Sequence, residues 1–257
     1  MGRTQAGFAL VFEIILVVAV VAVAATVFVL RIHKSTHSTG GTTASVSSNP
    51  PLKLKSIGFD LDYYNPATGM AGDIKFEHYN FFADEIVGIF GQHDPRSQDP
   101  AVRNPQPTFV LAAGTKIQSL VDGVVANVKT LYSGDSTIMV TTDGTLDSNF
   151  IYETEHVINV RVKKGDHVKG GQVIAEVSPH GAPGPGIGIV DIGILHPQGS
   201  EAGHVCPFQY MDDSIKNDIN KKLTALYQSW NQYEGKQVYN PSTFVSPGCV
   251  TEDWVKG

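Results

Sequence analysis

The sequence is poor in charged residues and has no cluster of basic side chains. Only 17% of its 257 residues are charged, and 25 acidic residues outnumber 19 basic ones, which gives a formal charge of −6. Proteins that bind nucleic acids need clustered Lys and Arg to neutralise phosphates, so this composition argues against a nucleic-acid partner. The phosphate-binding motif G-x-x-x-x-G-K and the nucleophile motif G-x-S-x-G are also missing, which removes two common enzyme classes.

Cysteine is scarce as well, with Cys206 and Cys249 as the only two. They stand beside the turn residues Pro207 and Gly248, and they do not form a paired-cysteine metal motif. A disulfide between them is plausible and would fit an exported domain. Two free buried thiols are the alternative that the sequence leaves open.

One long apolar run stands near the start of the chain. Residues 8–30 contain a single charge, Glu13, and are long enough to span a bilayer, which takes about 20 apolar residues. Arg31 and Lys34 follow directly without a cleavage pattern, so we predict a retained single-pass anchor at 1–34, in contact with the lipid bilayer through residues 8–30. The Ser/Thr/Gly-rich segment 35–51 predicts a flexible linker, and the following domain is predicted to be extracytoplasmic.

The first residues also carry a second pattern, made of Arg3, Gly7, Phe8 and Glu13. This pattern resembles the leader of type IV pilins, in which a basic peptide ends in Gly before Phe and a Glu lies inside the apolar helix. Glu13 is the sixth residue counted from Phe8, whereas the family has its Glu at the fifth. The resemblance implies a pilin-like filament subunit, and an ordinary anchor with one glutamate is the alternative.

The rest of the chain predicts a mainly β fold followed by one helix. Short alternating apolar runs separated by Gly, Asn and Asp turns predict extra amino-terminal strands and a connector over 52–107 and a β domain over 108–200. In 201–257 apolar residues recur every three or four positions, which predicts an amphipathic helix that begins after Asp212 or Asp213 and ends at Gly235. The stripe consists of Ile215, Ile219, Leu223, Leu226, Trp230 and Tyr233.

The stretch "VKKGDHVKGGQVIAEV", from Val162 to Val177, predicts tight turns and a strand. Together with "GTKIQSLVDGVVANV" from Gly114, "SGDSTIMVTT" from Ser133, "YETEH" from Tyr152 and "GPGIGIVDIG" from Gly184, it resembles the lysostaphin or LytM-type murein endopeptidases. The resemblance implies a barrel-sandwich β domain. The turn-and-strand stretch from Val162 to Val177 also resembles biotinyl and lipoyl carrier domains. These carriers need a lysine to which the cofactor is linked, and no lysine occurs between Gly170 and Ile215.

The resemblance implies a zinc site whose ligand positions this sequence does not fill. The His and Asp of the family fall on Asn104 and Thr108, or on Pro105 and Phe109 with a shift of one residue. The terminal H-x-H pair falls on Gly186 and Gly188. Only the assisting His is retained, as His156, so we predict no catalytic residue, no metal and no cofactor, with a candidate binding groove at His156, Gly186 and Gly188.

The function predicted on this basis is a membrane-anchored, exported cell-envelope protein that binds or scaffolds without catalysis. Its expected partner is cell-wall polymer or another envelope protein. The alternative is a diverged zinc-dependent peptidoglycan endopeptidase whose ligands come from other residues. Those candidates are His93, His156, His180, His196, Asp94 and Asp191.

Overall fold

The computed structural model describes residues 51–78, 84–95, 97–179, 181–182 and 184–257. The predicted anchor at residues 8–30, the pilin-like leader, almost all of the linker and His180 lie outside these ranges. Within them, no helix has the length and apolar character that a membrane span requires.

The described chain is mainly β, as the alternating apolar pattern predicts. One sheet runs in the order β13-β12-β11-β8-β7-β6-β9, with β4 and β3 attached beside β11 and with β10 and β5 attached beside β8. The segments before and after the predicted β domain contribute β3, β12 and β13 to this same sheet. The strands are β1 (Met70–Ala71), β2 (Ile74–Lys75), β3 (Val87–Gly88), β4 (Thr108–Ala112), β5 (Lys116–Gln118), β6 (Gly123–Thr130), β7 (Ser136–Thr141), β8 (Ile151–Ile158), β9 (His167–Val168), β10 (Val173–Val177), β11 (Ile187–Leu195), β12 (Gly203–Val205) and β13 (Val255–Lys256).

Strand β8 changes its neighbour half-way along its length. Its first part, up to Glu155, pairs with β11, whereas Val157 and Ile158 pair with β10. Ser178, directly after β10, occupies the point of separation: its N–H donates to the His156 carbonyl at 2.9 Å, and its carbonyl accepts from the Ile189 N–H at 3.2 Å. We call this point, formed by Glu155, His156, Ser178, Ile189 and Asp191, the fork.

The alternating segment "IGFDLDYY", Ile57 to Tyr64, lies in the region for which extra amino-terminal strands are predicted, and the prediction of a strand is wrong for it. Ile57, Phe59 and Leu61 are buried, as the alternation requires, but the segment forms no ladder. Gly58 has a φ of +93°, and its carbonyl accepts a single hydrogen bond from the Gln118 N–H at 2.7 Å. The segment therefore crosses the edge of β5 with its apolar side chains inward. Among the described residues before β4, only the two-residue strands β1, β2 and β3 form.

The predicted amphipathic helix is confirmed as α1 (Asp213–Glu234). The Asp212 side chain accepts from the Ser214 N–H at the first turn, and Gly235 ends the helix in the left-handed conformation at φ 65°. The apolar stripe packs on the domain itself, because Leu223, Leu226 and Trp230 are fully buried. This packing accounts for the stripe without a partner protein.

The structure joins Cys206 and Cys249 in a disulfide with a Cα–Cα distance of 6.1 Å. Both cysteines are fully buried. The main chain of Cys249 forms a parallel β-bridge with Phe90, and Cys206 directly precedes the helical turn at Pro207–Tyr210. The disulfide therefore ties the segment after α1 to the segment before it.

Replacing both cysteines with alanine is expected to lower the free energy of unfolding by about 4 kcal/mol, because the bridge closes a loop of 43 residues in the unfolded chain. Urea unfolding followed by tryptophan fluorescence measures this change. Reduction of the unaltered protein should give a loss of the same size. A loss below about 1 kcal/mol in both experiments would contradict the role given to this bridge.

Candidate functional site

The site is built on a β-bulge in β8 at Glu155 and His156. Ser136 of β7 pairs with Val157, and Ile138 pairs with Thr154. Glu155 and His156 therefore both lie opposite the single residue Thr137. His156 has a φ of 58°, in the left-handed region that residues other than glycine rarely adopt. Such a bulge re-aims a side chain, and here it directs the imidazole of His156 toward β7 and β11.

His156 lies between two carboxylates. Its Nδ1 donates to Asp135 Oδ2 at 3.0 Å, and its Nε2 lies 3.7 Å from Asp191 Oδ2. The side chain of His156 is 15% exposed and that of Asp135 only 2%. The imidazole of His156 is therefore fixed by the buried carboxylate of Asp135 and remains partly accessible to solvent.

Asp135 is itself held by several donors. Burial would raise its pKa, but hydrogen bonds from Ser133, Ser178 and His156 outweigh burial and lower the pKa below its usual value. Asp135 is thus an ionised, fixed partner for His156. Because Ser178 also forms the fork, the same residue positions the acid and separates the strands.

Glu155, the other residue of the bulge, has the opposite behaviour. Burial raises its pKa to about 7, and the nearby charges of Glu153 and Asp191 add to this effect, while His156 partly opposes it. Asp191 faces Glu155 across the β8–β11 ladder and Thr108 across the β4–β11 ladder. The fork therefore places His156, Glu155 and Asp191 on one face. Of the two carboxyl groups, that of Glu155 has a pKa near neutral pH.

A second, fully buried polar group lies along the same face. His204 Nε2 donates to Glu153 Oε2 at 2.9 Å, and Gln106 Nε2 donates to the same oxygen at 3.3 Å. Gly193, opposite Glu153, makes room for them, since a Cβ there would lie 2.6 Å from Gln106 Nε2 and 3.0 Å from His204 Cδ2. All three side chains of this cluster are buried, so it is not an accessible site.

The positions at which the family resemblance implies zinc ligands do not fit a metal. Asn104 and Thr108 are buried, and the Asn104 amide donates to the Ile89 carbonyl at 3.3 Å. At Gly188 a Cβ would lie 2.4 Å from the Ser178 carbonyl oxygen and 2.8 Å from Val177 Cγ2. A side chain at Gly188 would therefore have no room, because the main chain after β10 fills this space, whereas Gly186 is exposed. The groove predicted at His156, Gly186 and Gly188 stays a prediction.

Two of the other histidines proposed for a rebuilt metal site, His93 and His196, have hydrogen-bond partners of their own, while His180 lies outside the described residues. His93 Nδ1 donates to the Val102 carbonyl at 3.2 Å, and His196 Nδ1 donates to the Asn149 carbonyl at 2.7 Å. Of the proposed acids, only Asp191 reaches His156. Within the described ranges, no three His, Cys, Asp or Glu side chains have an arrangement that could hold a metal ion.

Several residues of the site were missed by reasoning from sequence, namely Asp135, Ser178, Glu153 and His204. One signal was available for part of it. In "YETEH" the two glutamates, Glu153 and Glu155, are two residues apart on a predicted strand, so both must lie on one face of it. Nothing in the sequence indicates that Asp135 or Ser178 lies near His156, because Asp135 directly precedes β7 and Ser178 directly follows β10, both distant from His156 in the sequence.

Residues 108–189 match the profile of Peptidase family M23, so the resemblance to LytM-type endopeptidases is confirmed over this segment. No curated protein matches the sequence significantly.

Solved structures of similar proteins include three peptidases of low identity. Lysostaphin from Staphylococcus simulans is 19% identical, with 44% of this chain and 43% of that chain covered and a TM-score of 0.35. The catalytic domain of the M23 protein EnpA from Enterococcus faecalis is 21% identical, with coverages of 46% and 85% and a TM-score of 0.36. A zinc-containing peptidase from Vibrio cholerae is 20% identical, with coverages of 56% and 33% and a TM-score of 0.30. The chain thus spans less than half of lysostaphin, and likenesses at these TM-scores carry no conclusion about activity.

Glu155→Gln is expected to remove part of the pH dependence of stability. The pKa of Glu155 is about 7 in the folded chain against an ordinary 4.5, so the folded state holds this proton more tightly than the unfolded state does. Its stabilising effect is complete below pH 4.5 and is lost as the pH rises through 7. Between pH 4.5 and pH 8, the free energy of unfolding of the unaltered protein should therefore fall by about 1–3 kcal/mol more than that of the variant.

Urea unfolding of both proteins at several pH values measures this difference, and the exposed Glu252→Gln is the matched control. If the two stability curves run parallel across this pH range, the burial of Glu155 has no energetic consequence and the description of the fork is wrong.

Proposed function

We propose that this chain is a non-catalytic cell-envelope protein that uses a peptidase-like β domain for binding or scaffolding. In this proposal residues 8–30 anchor it in a membrane and the β domain is exported. Its partner is cell-wall polymer or another envelope protein, bound at the face of the fork. The match of residues 108–189 to Peptidase family M23 supports the choice of the cell wall as the place of action.

The proposal that the chain is non-catalytic is supported by the filled space beside Gly188. Zinc hydrolases hold their metal with three protein ligands and keep one position open for water. At Gly188 the main chain of Ser178 lies where an imidazole would have to stand, at 2.4 Å from an added Cβ. The chain therefore loses this ligand position through its backbone packing and not only through a side-chain substitution.

The face of the fork retains the features of a binding site. His156 and Asp191 are 15% and 19% exposed, and each has fixed neighbours. Fixed, partly exposed hydrogen-bonding groups lose little conformational entropy when a ligand binds. An imidazole flanked by carboxyl groups suits the amide, amine and hydroxyl groups that occur in wall peptides and glycans.

The alternative function, a diverged zinc-dependent peptidoglycan endopeptidase, is favoured by one contact. His156 stands at the family position of the assisting histidine, and Asp191 approaches it to 3.7 Å. A histidine and one carboxylate can move a proton, but they do not by themselves polarise a peptide bond. Hydrolysis in this family's manner would require further ligands.

The full chain is expected to sediment with insoluble peptidoglycan without cleaving it, and His156→Ala is expected to weaken this association by about tenfold, because it removes the central hydrogen-bonding group. Co-sedimentation at varied polymer concentration measures the association, and the release of soluble fragments measures cleavage. His167→Ala, an exposed histidine of β9, is the matched control.

Fragment release that depends on His156 would replace this proposal with the endopeptidase. Equal sedimentation of the unaltered protein and His156→Ala would place polymer binding elsewhere on the chain.

A further inference from the structure

A cleft separate from the fork lies between β13 and the segment that carries Arg103. Its volume is about 730 Å³, and its lining includes the apolar residues Val102 and Pro105. Trp254 forms one wall and is fixed there: its Nε1 donates to the His196 carbonyl at 2.9 Å, and its indole packs against Gly203. The cleft is therefore a formed feature with a rigid aromatic wall.

One side of the cleft is an open strand edge. In an antiparallel ladder every second residue directs its N–H and C=O away from the partner strand. The Gly257 N–H donates to the Ala202 carbonyl, and Lys256 pairs with Gly203, so the main-chain groups of Trp254 and Lys256 point away from β12. In the part of the chain that the structure describes, no strand pairs with this edge of β13.

The opposite side of the cleft has the same property at Arg103. The Asp94 N–H donates to the Val102 carbonyl at 3.1 Å and the Asn104 N–H donates to the Gln92 carbonyl at 2.8 Å. These two bonds flank Arg103, which forms a bridge with His93. By the same alternation, the N–H and C=O of Arg103 point away from His93. The open edge of β13 and the outward main-chain groups of Arg103 thus border one cleft.

Arg103 is the group at the cleft that favours an anionic ligand group. Arg103 is exposed, and its Nη1 donates to the Pro100 carbonyl at 2.6 Å. No carboxylate of a described residue forms an ion pair with it. Lys256 lines the cleft as a second cation and pairs with Glu201 at 3.1 Å, while Asp94 is the single acid among the described lining residues. A guanidinium is suited to binding a carboxylate with two parallel hydrogen bonds.

We propose that this cleft binds an extended peptide segment of a protein partner, in which an acidic side chain reaches Arg103. The peptide adds a strand to β13, with main-chain hydrogen bonds to Trp254 and Lys256 and apolar side chains against Val102 and Pro105. This site is independent of the fork and of any binding of wall polymer. It makes the protein a link between two partners.

The test uses the full chain in mild detergent and three capped hexapeptides, with binding measured by calorimetry. The first alternates threonine and valine around one glutamate, the second has lysine in place of that glutamate, and the third is the glutamate peptide with methylated main-chain nitrogens at alternate positions. The glutamate peptide is expected to bind at least about tenfold more tightly than either of the other two, because only it offers both the carboxylate and the main-chain donors.

Variants at the cleft make the test specific. Arg103→Glu is expected to reverse the preference so that the lysine peptide binds more tightly, and the uncharged Arg103→Gln is expected to abolish the preference. Lys129→Glu makes the same charge change on an exposed residue of β6 and should leave all affinities unchanged, with thermal unfolding as the check that each variant folds. The absence of binding at millimolar peptide, equal affinities for the glutamate and lysine peptides, or an unchanged preference in Arg103→Glu would each overturn the proposal.

Discussion

The constraint on which the site depends is the position of Ser178 between two strands. Its N–H bonds to the His156 carbonyl and its carbonyl accepts from the Ile189 N–H, so β8 and β11 cannot pair beyond Glu155. The bulge at His156 lies at the point where β8 stops pairing with β11 and begins to pair with β10. The Ser178 side chain also donates to Asp135, the acid that fixes His156. One residue thus joins the backbone geometry of the fork to the electrostatics of the site.

The same constraint supports the proposal that this peptidase-like domain does not carry out metal-dependent hydrolysis. The main chain of Ser178 requires a glycine at position 188, because any Cβ there would meet the Ser178 carbonyl oxygen at 2.4 Å. Gly193, two pairs further along the sheet from the fork, serves a comparable purpose for Gln106 and His204. Both glycines therefore serve close packing, one of main chain and one of polar side chains. The face that would hold a metal holds a histidine and carboxyl groups with fixed partners.

Much of the fold could be predicted from sequence, for local reasons. The limits of α1 follow from Asp212 and Gly235, since a capping carboxylate and a left-handed glycine act within a few residues. The segment at Ile57, Phe59 and Leu61 could not be assigned in this way, because alternation reports which side chains are buried and not whether the main chain joins a ladder. The site was only partly predictable for a related reason. His156 was found from its motif, but its partners Asp135 and Asp191 come from distant segments of the chain. A glycine at position 188 is compatible both with open space and with close packing, so the sequence could not distinguish the two.

The zinc content of the purified full chain tests the central claim most directly. The protein would be incubated with zinc, dialysed extensively and analysed by mass spectrometry, with circular dichroism to show that it is folded. The account predicts that the folded chain retains no stoichiometric zinc, because the backbone after β10 occupies one ligand position and Asn104 and Thr108 are packed at two others. About one tightly held zinc per folded chain would contradict it and would make the endopeptidase the better description of this protein.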